Sequence, residues 1–157
     1  MAERKAVTGS RFMYGPRPAG FGAQFYLEAD GSVTGEITLH IEKEGPPGHA
    51  HGGSLATLLD EVMGNAAWFT AGMVLAANLN INYKQPVPLD TPLTLRGWVE
   101  RIEGRKHHTL GELRLPDDTV ATTGSGLFIT IPDERLNAYK ASNWPKFGTT
   151  TTEEHSE

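Results

Sequence analysis

The sequence predicts an α+β domain in which one long apolar helix lies against an antiparallel sheet. Three observations carry that expectation. Apolar residues recur at helical spacing from Ser54 to Phe69, with Leu55, Leu58, Leu59, Val62, Met63 and Ala66 on one side. Segments before and after it alternate with a period of two, as half-buried strands do. Gly 18 and Pro 10 are spread between these segments as punctuation and form no linker, which argues for one domain in 157 residues.

The elements follow in order. From Gly20 to Gly45, the runs FGAQFYLEA and VTGEITLHIE flank Asp30-Gly31, a hairpin signal because glycine accepts the positive φ of a tight turn. GPPGHAHGG is too rich in Gly and Pro for a regular element. The helix after it is mostly apolar and has small residues at Ala56, Gly64, Ala66 and Ala67, so it is expected against a sheet. Ala77, Leu79, Ile81 and Tyr83 then alternate strictly with Asn78, Asn80, Asn82 and Lys84, a strand with one polar face. TPLTLRGWVERIE, a turn at Glu103-Gly104-Arg105-Lys106, HHTLGELRL, a turn PDD and TVATTGSGLFITI are expected to complete an antiparallel meander. This makes about six strands, two before the helix and four after it. The domain is expected over residues 20–132, between an N-terminal extension (1–19) and a C-terminal one (133–157). From Pro132 the pattern fades, and KFGTTTTEEHSE reads as a disordered tail.

Composition removes several functions. Lys+Arg 14 against Asp+Glu 19 gives a net charge of -5, without the basic footprint of a nucleic-acid binder. Cys 0 removes disulfide frameworks, thiolate zinc sites and cysteine nucleophiles together. No window approaches the ~20 apolar residues of a membrane span. The start MAERKAVTGSRFMYG lacks the apolar core of a signal peptide, so a cytoplasmic protein is expected.

The chemistry concentrates in GPPGHAHGGSLATLLDEVMG. The free N–H groups and positive dipole end of a helix starting near Gly52, Gly53 and Ser54 can polarise a carbonyl, as an oxyanion hole requires. The competing reading is that Gly-Gly simply turns the chain into the helix. Asp60 lies on the helical row of Ala56 and Gly64, beside the apolar stripe, where a carboxylate is uncommon unless paired or employed. Glu61 lies ~100° further round, with Thr57, Asn65 and Trp68, and reads as solvated or salt-bridged. Spacing separates the two carboxylates only weakly.

Distance bears on assembly. Gly52 and Asp60 are eight residues apart, about 12 Å along a helix at ~1.5 Å per residue. Catalytic groups work about 3 Å from a shared reacting centre. A two-fold dimer pairing Gly52 of one subunit with Asp60 of the other is therefore expected.

HGGSLATLLDEVMG resembles the HGG…D signature of the PaaI-like acyl-CoA thioesterases of the hot-dog superfamily. The likeness continues through GPPGHAHGG, ANLNINYKQPVPL and the turn IEGRK, and within the family it is nearest the thioesterase superfamily members. The resemblance implies a hot-dog fold, a central helix wrapped by a curved antiparallel sheet. It implies an acyl-CoA substrate and Asp60 as general base or nucleophile. The Gly52 N–H, with His51 and Gly53 beside it, matches the oxyanion-stabilising turn. Asn82, Lys84, Arg105 and Lys106 match acyl-CoA contacts, the last three reading as a local basic cluster for CoA phosphates or, alternatively, as a solvated strand end and turn. No cofactor or metal is implied, and the assembly is a homodimer or a dimer of such dimers. A thiolate leaving group has a pKa of ~8.5 and leaves with little acid assistance, so one base and one oxyanion hole suffice.

Two departures stand out. Close relatives carry Thr or Ser sixteen positions after the aspartate, where this chain has Ala76, and some carry an earlier loop asparagine where it has Gly45. Asn78, Thr70 or Asn65 are candidates to compensate. Rival readings are a non-catalytic acyl-CoA or lipid-binding module, favoured by Ala76, a hot-dog hydratase, and a metal site at His49-Ala50-His51, which lacks a following glutamate because Leu55 and Ala56 stand there. His40 reads as a strand residue and His107-His108 as a half-exposed pair. Trp68, Phe69, Met73 and Leu75 fit either an acyl tunnel or core packing.

Overall fold

The computed structural model describes residues 4–142, and the tail KFGTTTTEEHSE lies outside them. In chain order the elements are β1 (Lys5–Val7), α1 (Arg11–Tyr14), β2 (Gln24–Leu27), β3 (Val33–Thr38), α2 (Gly52–Ala71), β4 (Val74–Tyr83), β5 (Pro92–Glu103), β6 (Lys106–Arg114), β7 (Val120–Thr130) and α3 (Asp133–Ala141). The strands form one antiparallel seven-stranded sheet in the order β1-β2-β3-β5-β6-β7-β4. The expected helix against an antiparallel sheet is present. Among the described residues no helix is long and apolar enough to cross a membrane.

Local chemistry explains the predicted hairpin. Leu27 pairs with Val33, and Gly31 takes φ +81 in the connection. Asp30 Oδ1 accepts from the Ser32 N–H at 2.9 Å and the Ser32 hydroxyl at 2.6 Å, closing the turn on itself.

Three features differ from the expectation. The meander is β5-β6-β7 alone, because β4 pairs with β7 at the far edge while β5 pairs with β3. Helix α2 explains this: its 20 residues span about 30 Å and carry the chain across the sheet before β4 returns along the opposite side. Second, β1 adds a strand to the expected six. Third, α3 forms where the apolar pattern fades. It buries no side chain, so periodicity could not mark it, but Asp133 and Glu134 in its first turn and Lys140 in its last suit the helix dipole. The alternation of β4 is also interrupted: Ala76 pairs with Phe128 and Asn78 with Leu127, leaving Ala77 as a bulge residue.

The core is where α2 meets the sheet. Leu55, Leu58, Leu59, Val62, Met63, Ala66 and Ala67 are all buried, the five larger ones contributing about 1.5–3 kcal/mol each. A row of glycines makes this contact close. Gly97, Gly111 and Gly124 are register partners on β5, β6 and β7. A Cβ on Gly97 would lie 2.6 Å from the Val62 carbonyl oxygen, and one on Gly111 2.9 Å from Met63 Cγ. The furrow lets the helix backbone rest on the sheet, which holds both helix ends in fixed relation to the strand ends.

Candidate active site

The start of α2 is built from three sides. The preceding segment is pinned by the Ala50 N–H on the Val87 oxygen at 2.8 Å, the Leu89 N–H on the Gly48 oxygen at 3.0 Å and the His51 N–H on the Lys43 oxygen at 2.8 Å. His51 is the N-cap, and its Nδ1 accepts the Gly53 N–H at 2.9 Å. From β4, the Tyr83 hydroxyl donates to the Gly52 carbonyl oxygen at 2.8 Å. The Gly53 N–H is thus occupied. The Gly52 N–H belongs to the first helical residue, has no intrahelical acceptor, and meets no acceptor among the described residues.

The two carboxylates of α2 have different surroundings. Asn65 Nδ2 donates to Glu61 Oε1 at 3.2 Å and to the Tyr14 hydroxyl at 3.0 Å, tying α2 to α1. Burial raises the Glu61 carboxyl, with the Asp60 charge adding and the Asn65 and Tyr14 hydrogen bonds opposing. Burial, followed by the Glu61 charge, likewise raises the Tyr14 phenol. Glu61 is therefore half-buried and bonded through Asn65, neither solvated nor salt-bridged as expected, because α1 packs over it. Asp60 faces elsewhere. Its row includes Gly64, whose Cβ position lies 3.1 Å from the Phe128 ring on β7, the neighbour of edge strand β4. Asp60 Oδ1 is buried with no partner among the described residues, and burial raises its carboxyl above the usual range.

The basic residues are not brought together. The Lys84 N–H bonds the Ala121 oxygen, whereas the Arg105 oxygen accepts the Thr130 N–H, with Lys106 next to it. Ala121 and Thr130 are nine steps apart along β7, roughly 30 Å at ~3.3 Å per residue. The expectation of a local cluster is corrected for a single chain: Lys84 lies by the start of α2 and Arg105-Lys106 by its end. Asn82 is exposed on β4 and donates to Asn80 Oδ1 at 3.3 Å.

Other expectations change as well. His40 lies beyond β3, its Nδ1 2.5 Å from Asp90 Oδ1. His107 is only 4% exposed, because alternation turns it toward α2, and burial lowers its pKa. Its Nε2 meets Thr130 Oγ1 at 2.6 Å. His49 Nδ1 sits 2.9 Å from the Pro47 oxygen, and among the described residues no group of acidic and histidine side chains is arranged to hold a metal. Of the candidates to compensate for Ala76, Asn65 is engaged as described and the Thr70 hydroxyl donates to the Ala66 oxygen at 2.9 Å. Trp68, Phe69 and Leu75 are exposed, so core packing does not account for them. Tyr83 and Tyr14 were missed by the motif. The period of two does place Tyr83 on the helix-facing side of β4, whereas nothing local to Tyr14 points to α2.

A long helix with a glycine start, laid across a curved antiparallel sheet, is the hot-dog fold, and the comparisons agree. The model of the thioesterase superfamily matches residues 47–122, from the loop before α2 to the start of β7, and that segment belongs to this superfamily. Over 116 residues the chain is 36% identical to acyl-coenzyme A thioesterase THEM4 of Rattus norvegicus, covering 73% of this chain and 50% of that protein. The chain spans about half the length of the curated relatives it matches. A solved thioesterase superfamily protein is 40% identical, with a TM-score of 0.69 over 74% of this chain and 58% of that one. The PaaI protein of E. coli, 18% identical, shares the fold with a TM-score of 0.66 over 71% of this chain and 81% of its own.

Proposed function

We propose that this chain is an acyl-CoA thioesterase, hydrolysing an acyl-CoA to the free acid and CoA in a homodimer, with residues 20–132 as the catalytic unit. The observation that carries the reading is Asp60, a half-buried carboxylate on the central helix with one oxygen fully buried and without a partner among the described residues. The names of the curated relatives support the substrate class.

In this reading the Asp60 carboxylate takes a proton from water as the water oxygen bonds the thioester carbon. The carbonyl oxygen becomes an oxyanion held by the Gly52 N–H of the partner chain, where the helix dipole adds to the field. Collapse breaks the C–S bond, the thiolate leaves, and the proton on Asp60 returns to it. His51 and Gly53 shape the turn, and Lys84 of one chain with Arg105 and Lys106 of the other would meet the CoA phosphates. Asn82 lines the same strand. A nucleophilic Asp60 is the variant of this chemistry: its carboxylate oxygen bonds the thioester carbon, the C–S bond breaks, and the resulting mixed anhydride, hydrolysed in a second step, is distinguished by trapping with hydroxylamine.

Thiol release from aliphatic and aromatic acyl-CoAs, with wild type and Asp60→Asn side by side, is the test. Turnover that collapses in the variant supports the enzyme. Binding without turnover in both proteins selects the acyl-CoA-binding module that Ala76 favours.

A further inference from the structure

The pair Gly52-Gly53 is the least constrained way to begin a helix, since each glycine has about 0.5–1 kcal/mol more backbone entropy to lose than alanine. An oxyanion donor has the opposite need, because it must be held in place before charge develops. Two side chains resolve this at a single peptide unit. The Gly52 carbonyl oxygen takes the Tyr83 hydroxyl at 2.8 Å, and the Gly53 N–H of the same peptide is taken by His51 Nδ1 at 2.9 Å. The Tyr83 ring also covers Gly52, with ring atoms 3.3–3.4 Å from where a Cβ would be.

We infer that Tyr83 is a positioning residue for the Gly52 N–H, acting through the clamped Gly52–Gly53 peptide; this rests on the oxyanion role of Gly52 proposed above. In the single chain the side chain is 54% exposed on an edge strand, and its hydroxyl still reaches the helix start. The bonds also form a chain, from the Tyr83 hydroxyl through the peptide to His51. Each bond polarises the next and strengthens it. Because Nδ1 accepts the Gly53 N–H, that ring nitrogen is taken up by the helix cap.

Tyr83→Phe keeps the ring over Gly52 and removes only the hydroxyl. The expected result is a kcat lowered about fivefold, what a net hydrogen bond of ~1 kcal/mol is worth, with KM for acyl-CoA within twofold. In the same variant the Gly53 amide proton should move upfield and exchange faster, as its bond to His51 weakens, while amides of β5 and β6 do not change. Unchanged kcat together with an unchanged Gly53 amide overturns the inference and leaves the thioesterase reading standing. If the wild type hydrolyses no acyl-CoA, that reading fails, and the clamp is judged on the amide alone: a shifted Gly53 signal supports it and an unchanged one overturns it.

Discussion

Asp60 and Glu61 are consecutive on α2, yet only one is satisfied: Glu61 is bonded by Asn65 at 3.2 Å, while Asp60 Oδ1 is buried without a partner among the described residues. One step of ~100° around the helix separates them. It turns Glu61 toward Tyr14 and Asp60 onto the row of Gly64, which faces Phe128 of β7. The difference predicts which carboxylate the reaction needs. Asp60→Asn should lower kcat by about 10²–10⁴, the usual contribution of a general base. Glu61→Gln preserves the acceptor for Asn65 and should stay within a few-fold of wild type. Equal losses in the two variants, measured as thiol release, would remove the assignment.

The acid limb of the rate should lie above the ordinary carboxylate range of ~3.9, since burial raises Asp60 and a protonated carboxyl accepts no proton. Activity therefore falls as pH drops through that raised value. A kcat/KM profile between pH 4 and 9 checks it, and a limb at or below the ordinary value contradicts it.

Stability runs the opposite way with pH. A carboxyl whose folded pKa is raised contributes stability that is present below its unfolded pKa and lost as pH rises through the folded one. Wild type therefore bears the cost of a buried charge at neutral pH. Asp60→Asn should melt at a higher temperature than wild type at pH 7, with the gap closing as both are titrated below about pH 4. Thermal melts across that range make the comparison, and a lower melting temperature for the variant at pH 7 counts against it.

If each site takes its base from one chain and its oxyanion donor from the other, inactive variants should complement. Gly52→Pro deletes the N–H at a first helical position that favours proline, His51 already has the extended backbone a following proline requires, and the added Cβ would stand 3.3–3.4 Å from the Tyr83 ring, which must give by a few tenths of an ångström. Mixed in equal amounts with Asp60→Asn and allowed to exchange, it should restore about a quarter of wild-type activity, from one intact site in half of the dimers. Failure to recover activity despite subunit exchange seen by native mass spectrometry would place both groups in one chain.

The glycine furrow predicts a large effect far from the chemistry. Gly97→Ala puts a methyl 2.6 Å from the Val62 oxygen, a backbone atom that cannot rotate away. The helix must lift or tilt, at a cost of about 1–3 kcal/mol. Urea unfolding should show that loss, and kcat should fall with it because α2 carries Asp60. A variant as stable as wild type would mean that the furrow has slack.

The sequence by itself determined the elements whose causes are local. The hairpin follows from Asp30-Gly31, α2 from apolar spacing along one face, and the candidacy of Gly52 and Asp60 from a motif within one short segment. Helix α3 escaped because it buries nothing, and β1 because three residues are too few to show a period. Only the tertiary structure decided that β4 crosses to the far edge beside β7, that Tyr14 of α1 joins the Asn65–Glu61 pair while Asp60 Oδ1 is left without a partner among the described residues, and that Tyr83 reaches the Gly52 carbonyl. It also separated Lys84 from Arg105 and Lys106, which sequence alone had grouped by charge. The physical reason is range: periodicity and turn chemistry are properties of neighbouring residues, whereas hydrogen-bond satisfaction and charge proximity depend on which distant strands the packing of α2 on its glycine furrow brings side by side.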